Sequence, residues 1–300
     1  MKSFSALVKE ELKRNKNQTC ACDRAELCGM ILFGAAISDK EIKFVTESAD
    51  VADRYCELCR AESAIVGNVN SDTSRCVCVI EDRNSIELIL NSLKLRENET
   101  GQIQYQIPFE FVKEEACARA FVKGAFMGGG TVIDPNKNYN LEIVTHHAKL
   151  SKELFELLEN WGFELKTVIR KSRCVLYTKK SDTISDMLSY MGAYRAQMEL
   201  INIKIEKEIR NDFNRSANSE AANLDKVIEA SVKQIQAIEL IDKNIGLDGL
   251  PDELRELALL RLKNRSESLS ALGMMLNPPL GKSGVNRRFQ KIISIADKIR

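Results

Sequence analysis

Three groups of side chains in this 300-residue chain are reactive or ligand-binding by kind and lie close enough in sequence to act together. Cysteines form the first: Cys20 and Cys22 make a C-x-C, Cys56 and Cys59 a C-x-x-C, and Cys76 and Cys78 a second C-x-C. Zinc takes four ligands in tetrahedral reach, so Cys20/Cys22 with Cys56/Cys59 is a conceivable set. Against it, Cys56 and Cys59 fall in a helical pattern that can bury both, and Cys76 and Cys78 point to one face of a strand. An odd count of nine cysteines favours reduced, mostly buried thiols, so neither metal nor cofactor is expected. His146 and His147 are the second group. They end a strand with no acidic cluster beside them, and surface histidines are expected rather than metal ligands or acid/base groups. The third group is Lys282, Ser283, Asn286, Arg287, Arg288, Gln290 and Lys291. Arginine pairs bidentately with guanine, and asparagine or glutamine with adenine, so this set suits the edges of bases.

A helix must present that third group. From Ser283 to about Ile299, Val285, Phe289, Ile292 and Ala296 recur at spacings of 4, 3 and 4 and define a buried face. Two shorter helices precede it. Pro251 to Leu262 opens with proline and then Asp252 and Glu253, a favourable helix start. Ser266 to Leu276 carries Leu269, Leu272 and Leu276 on one face and is stopped by Asn277-Pro278-Pro279-Leu280-Gly281. This is the layout of a helix-turn-helix whose third helix reads base edges, with a longer connection than the usual tight turn. Arg265, Ser266, Ser268 and Ser270 are then expected at the DNA backbone, since hydroxyls and helix N-terminal amides suit phosphates. Residues 250–300 carry a net charge of +5 against −4 for the rest, the footprint of a nucleic-acid-binding module on a mildly acidic body.

Upstream, two glycine-centred segments repeat 95 residues apart: Leu27-Cys28-Gly29-Met30-Ile31-Leu32-Phe33-Gly34 and Val122-Lys123-Gly124-Ala125-Phe126-Met127-Gly128-Gly129. Small residues three to five apart on an apolar helix let two backbones approach closely, so the two copies are expected to pack on each other. The spacing resembles the paired motif helices of the LAGLIDADG homing endonucleases, where an acidic residue at each helix end holds a catalytic metal. Here Gly34 and Gly129 stand at those positions, and the earlier acidic position holds Leu32 and Met127. The resemblance therefore implies a scaffold without the nuclease chemistry. After each segment the order is the same. The first copy has a hairpin over residues 35–46, a helix from Asp50 to Glu62, a hairpin turning at Ser71 to Ser74, and a helix from Ser85 to Leu95. The second has a hairpin over 131–145, a helix capped by Ser151 and stopped by Gly162, a hairpin turning near Ser172, and a helix from Thr183 to Met191.

The predicted fold class is thus α+β: a pseudo-symmetric double LAGLIDADG-like domain of two α-ββ-α-ββ-α repeats, then an all-α helix-turn-helix domain. The expected division is an amphipathic N-terminal helix with Leu7 and Leu12 (1–19), the double domain (20–201, repeats 20–110 and 111–201), a polar interdomain helix and linker (202–226) and the helix-turn-helix domain (227–300). Hydrophobic content of 44% with 29% charged residues is ordinary for a globular protein, and the longest apolar stretch is too short and glycine-rich to span a bilayer, so a cytoplasmic protein with no membrane contact is expected. Lys166, Arg170, Lys171 and Arg173 lie in an acid-free stretch of the second repeat and form a weaker candidate for auxiliary DNA contact. The matching stretch of the first repeat has fewer bases and more acids, so any such contact would be lopsided.

Several more specific strings carry a further resemblance: Ser3-Phe4-Ser5, Val8-Lys9-Glu10-Glu11-Leu12, Ala25-Glu26-Leu27, Asn214-Arg215 with Asn218, Ala222-Asn223, and above all the run from Leu276 to Asn286. Over nearly its whole length the chain resembles the WhiA family of Gram-positive bacteria. That resemblance implies a degenerate LAGLIDADG double domain followed by a helix-turn-helix similar to region 4 of sigma factors. It also implies a regulator of sporulation, cell division and chromosome segregation that binds double-stranded DNA at the nucleoid. Proteins of the transcription or division machinery are further expected partners. Two alternatives stand beside it. One is a divergent endonuclease or maturase using Glu26, Asp39, Asp134 or Glu142; the other is a scaffold whose basic module binds protein.

Overall fold

A computed structural model describes residues 2–62, 64, 65, 67–70, 75–97 and 101–299, which fall into two compact units, Met1–Lys207 and Glu208–Arg300. The first unit opens with α1 (Phe4–Arg14). The first repeat follows as α2 (Cys20–Gly34), β1 (Ala35–Ile37), β2 (Ile42–Thr46), α3 (Ala49–Ala61), β3 (Gly67–Asn70), β4 (Cys76–Ile80) and α4 (Arg83–Ser92). The second repeats that order: α5 (Glu115–Gly129), β5 (Gly130–Val132), β6 (Leu141–Thr145), α6 (Ala148–Asn160), β7 (Lys166–Arg170), β8 (Arg173–Thr178) and α7 (Ser181–Met191). Each repeat forms an antiparallel four-stranded sheet, in the orders β1-β2-β4-β3 and β5-β6-β8-β7. The double α+β domain predicted from the repeat is therefore observed. The turn expected at Ser71 to Ser74 lies outside the described residues.

The glycines explain why α2 and α5 form the centre. A methyl group on Gly124 would stand 1.9 Å from the Glu26 carbonyl oxygen, and one on Gly29 2.3 Å from that of Phe121. Gly128 is also tight, with 2.7 Å to the Met30 carbonyl oxygen. Backbone meets backbone along this seam, and no side chain larger than hydrogen fits there. Around it, Leu27, Ile31, Phe121 and Phe126 are sealed from solvent. The β7–β8 hairpin turns on Lys171 and Ser172, at φ values of 47° and 62°, the left-handed pair that matches the twist of tight hairpins.

Two expectations need correction here. Helix α1 is amphipathic and buries Leu12 as expected, but Leu7 faces solvent, and Phe4 and Val8 complete the buried face at the 4-residue spacing. Ser151 does not cap α6: the helix begins a turn earlier, with His147 at the cap position, and Ser151 is buried within it. The helix expected over residues 202–226 is present and longer than that stretch, as part of α8 (Tyr194–Ile245). That stretch has no glycine or proline to break it, Asp212 pairs with Arg215 along it, and Glu11 caps its start by accepting from the amides of Arg195 (2.7 Å) and Ala196 (3.1 Å).

The second unit packs the C-terminal part of α8 with α9 (Asp252–Lys263), α10 (Leu269–Met274) and α11 (Lys282–Ile299). Its core includes Ile238, Ile241, Leu254, Leu257, Leu272, Val285, Phe289 and Ile292. The second helix is shorter than expected. Ser268 is its cap, its hydroxyl accepting from the Ala271 amide at 3.2 Å, so Ser266 stands outside the helix.

Candidate nucleic-acid interface

Helix α11 divides cleanly. Val285, Phe289, Ile292 and Ala296 are buried, whereas Lys282, Ser283, Asn286, Arg287, Gln290 and Lys291 are exposed. The exposed set spans the N-terminal half of the helix and includes no acid, so it presents amide donors, hydroxyl and positive charge together. Two further predicted contacts are engaged inside the protein. Arg288 turns away from that face and pairs with Glu253 at 3.0 Å, because its position follows the apolar stripe toward α9. Arg265 pairs with Glu239 of α8 at 3.3 Å. Ser266 and Ser270 are exposed, while the Ser268 hydroxyl serves its own helix.

What orients α11 went unread in the sequence. Arg261 is 1% exposed, and its guanidinium donates to Gln234 Oε1 of α8 at 3.0 Å and to the Glu267 carbonyl oxygen at 2.6 Å. It also lies 5.4 Å from the centroid of the Phe289 ring on α11. Desolvation lowers its pKa from the ordinary value, with Glu267 opposing. The available signal was the spacing of Leu254, Leu257, Ala258 and Arg261, which puts an arginine on an apolar face. The long α10–α11 connection is held by backbone: Leu280 N–H donates to the Gly273 carbonyl at 2.9 Å, and a methyl on Gly273 would meet the Leu280 carbonyl oxygen at 2.0 Å.

In the first unit, the β5-β6-β8-β7 sheet buries Leu141, Ile143 and Leu176 on its helix side. By strand alternation Lys166, Arg170, Arg173 and Tyr177 share the opposite face, with Arg170 directly across from Arg173 in the hairpin register. Arg170 there pairs with Glu142 at 3.2 Å and lies 5.5 Å from the Tyr177 ring centroid, while Lys171 sits at the turn. The corresponding face of the first sheet carries Lys43, Val45, Val77 and Val79, so the two sheets differ as their charges suggested.

Gly34 and Gly129 end α2 and α5, and Leu32 and Met127 are buried. Below the helix ends lies a cleft of about 720 Å³ lined by residues that include Gly34, Gly129, Thr131, His146, His147 and Arg173, none of the lining side chains acidic. The neighbouring cleft contains Glu47 and Asp50, but Asp50 pairs with Lys2 and Lys13, both at 3.4 Å. The four acids considered for a divergent nuclease are scattered. Glu26 is fully buried between Arg54 (2.8 Å) and Lys123 (2.9 Å), and Asp39 pairs with Arg96. Asp134 accepts from Asn136 within its turn, and Glu142 pairs with Arg170. Burial, outweighed by Glu26 and Asp23, leaves Arg54 raised above its ordinary pKa, whereas burial lowers Lys123.

His146 is exposed, but His147 stacks on Tyr105 with ring centroids 3.6 Å apart, and burial lowers its pKa. The zinc quartet is not assembled. Cys22 contacts Cys117 at 3.4 Å, Cys56 contacts Cys78 at 3.6 Å, and Cys20 is exposed. Among the described residues, no group of three or more His, Cys, Asp and Glu is placed to hold a metal ion, and no helix is long and apolar enough to cross a membrane.

Comparison with known proteins follows the same two-part division. A family model described as the WhiA LAGLIDADG-like domain matches residues 118–210, and one described as the WhiA C-terminal HTH domain matches residues 213–296. A probable cell division protein WhiA from Alkaliphilus metalliredigens is 38% identical, over 99% of this chain and 98% of that protein. One of the same name from Clostridium novyi is 37% identical with the same coverage. The crystal structure of full-length DUF199/WhiA from Thermatoga maritima superposes with a TM-score of 0.63 at 27% identity, covering 99% of both chains. The N-terminal LAGLIDADG domain of DUF199/WhiA shares the fold, with a TM-score of 0.52 at 19% identity, over 64% of this chain and 94% of that one.

Proposed function

The chain belongs to the WhiA family, and from that membership we propose that it is a sequence-specific regulator of transcription acting on double-stranded DNA in cell division. The proposal extends to sporulation and chromosome segregation as further processes, and to the cytoplasm, at the nucleoid, as the site of action. One observation carries the reading: the exposed, acid-free face of α11 from Lys282 to Lys291, opposite a fully buried apolar stripe. Laid in the major groove, that face offers Asn286, Arg287 and Gln290 to base edges, with Lys282, Ser283 and Lys291 toward phosphates. Arg261 acts as a positioning residue, since it ties α8, the loop before α10 and the Phe289 side of α11 to one another. Arg265 and Arg288 reach DNA in this reading only by giving up Glu239 and Glu253. Lys166, Arg170, Lys171 and Arg173 supply at most an auxiliary, sequence-independent contact. The double domain acts as a scaffold rather than a nuclease, because the ends of α2 and α5 carry glycine where a metal-binding carboxylate is needed.

The test is binding of the full chain to a panel of duplexes across a salt series with magnesium present, the products examined for cuts. Arg287→Ala should weaken the preferred sequence by about 1–3 kcal/mol per base contact and relax specificity. Lys291→Ala should weaken all duplexes evenly and reduce the salt slope by about 1. Unchanged affinity in both variants would refute the assignment of α11, and a magnesium-dependent cut would refute the scaffold. Failure to bind any duplex at any salt would favour a protein of the transcription or division machinery as the partner.

A further inference from the structure

Cys22 and Cys117 hold equivalent places in the two repeats. Each precedes its anchor glycine, Gly29 or Gly124, by seven residues, and each is the third residue of its helix. Because α2 and α5 pack backbone on backbone at those glycines, the near-twofold relation between repeats brings equivalent residues together. The two sulfur atoms touch, with Sγ to Sγ 3.4 Å. Both lie in the first turn of their helices. Their exposures are 5% and 4%, so a small reagent has a narrow approach and a large one has none.

We propose that Cys22 and Cys117 are an oxidisable dithiol that a small hydroperoxide converts into a disulfide joining the two repeats. In the first step the Cys22 thiolate attacks the terminal peroxide oxygen. The O–O bond breaks, and the alkoxide leaves and takes a proton, giving a sulfenic acid and an alcohol, or water if the oxidant is hydrogen peroxide. In the second, the Cys117 sulfur attacks the Cys22 sulfur. The S–S bond forms, and the sulfenic oxygen departs as water with the Cys117 proton. Two thiols lose two electrons and two protons, and one peroxide bond is reduced. Burial, then contact with Cys22, pushes the Cys117 thiol up to about 11, so it carries the proton that leaves with the sulfenic oxygen. A thiol reductant reverses the bond. The other touching pair, Cys56 with Cys78, joins α3 to β4 within the first repeat and cannot couple the two halves.

The bond would close a loop of almost a hundred residues and staple the N-terminal ends of α2 and α5. The reduced full chain is titrated with hydrogen peroxide, alkylated, digested without reductant and mapped by mass spectrometry. The expected product is the peptide containing Cys22 joined to that containing Cys117. Fluorescence of Trp161, the single tryptophan and a residue of the first unit, should show a melting point raised by about 10 °C. Dithiothreitol should abolish the shift, and Cys117→Ala should never show it. Cys22 and Cys117 still open to alkylation after the exposed Cys20 is consumed would overturn the proposal. So would a map joining either one to a different cysteine. The wild-type map decides the matter even if Cys117→Ala fails to fold.

Discussion

The seam between α2 and α5 makes Gly124→Ala a sharp test of what holds the double domain together. Two effects oppose each other. In a helix interior, alanine is better than glycine by about 1 kcal/mol, so at an open site the substitution would stabilise. At this site the added carbon would stand 1.9 Å from the Glu26 carbonyl oxygen, about 1.5 Å inside ordinary contact. That oxygen is backbone and cannot rotate away, so the helices must part. Parting them also loosens the packing at Gly29 and Gly128, whose closest approaches are 2.3 and 2.7 Å. Overpacking of this kind costs about 3–5 kcal/mol where several contacts move together, leaving a net loss of about 2–4 kcal/mol after the helical gain. For a unit of this size that lowers the melting point by about 5–12 °C. Trp161 lies in the first unit and the second has no tryptophan, so urea or thermal unfolding followed by its fluorescence reads that unit alone. Stability equal to or above wild type would refute the close-packed seam.

The buried charges and the base of the helices yield two more tests. Glu26→Gln should destabilise the first unit by about 3–5 kcal/mol by leaving Arg54 and Lys123 buried without their shared carboxylate. Adding Lys123→Met should recover part of that loss, and strict additivity in urea unfolding would rule out the coupling. Burial, opposed by Glu47, holds the Lys9 ammonium down to about 8 against an ordinary 10.5, while it lies 5.8 Å from the Phe126 ring centroid. Its charge is therefore penalised in the fold below pH 8, less so as pH rises, and not at all above 10.5. Lys9→Met should unfold at higher urea than wild type at pH 7, by about 2 kcal/mol, and the gap should close between pH 8 and 10.5. A gap that does not change with pH would refute the depressed lysine.

Much of the fold was legible because it is written in short-range terms. The glycine spacing marked α2 and α5, and the 4-3-4 spacing of Val285, Phe289, Ile292 and Ala296 marked the buried face of α11. Boundaries were less secure, because caps are decided by backbone geometry: α6 starts before Ser151, and α10 only after Ser268. Residues 202–226 read as an interdomain helix and linker. Polar residues without glycine or proline suit the long helix, but its full length and its cap from Glu11, 184 residues away, were not legible locally.

By itself, then, the sequence determined the periodicities: a duplicated glycine-seamed α+β unit, a basic three-helix module, and glycine where carboxylates would be needed. Tertiary structure decided which charges remain available. It ties Arg288 to Glu253 and Glu26 to both Arg54 and Lys123, while Arg287 and Lys291 stay exposed, as does Arg265 beside Glu239. It also brings Cys22 against Cys117 rather than into a zinc quartet. Periodicity is a property of neighbours along the chain, whereas an ion pair or a thiol contact needs two distant backbones placed to within about an ångström, which only the packed core achieves.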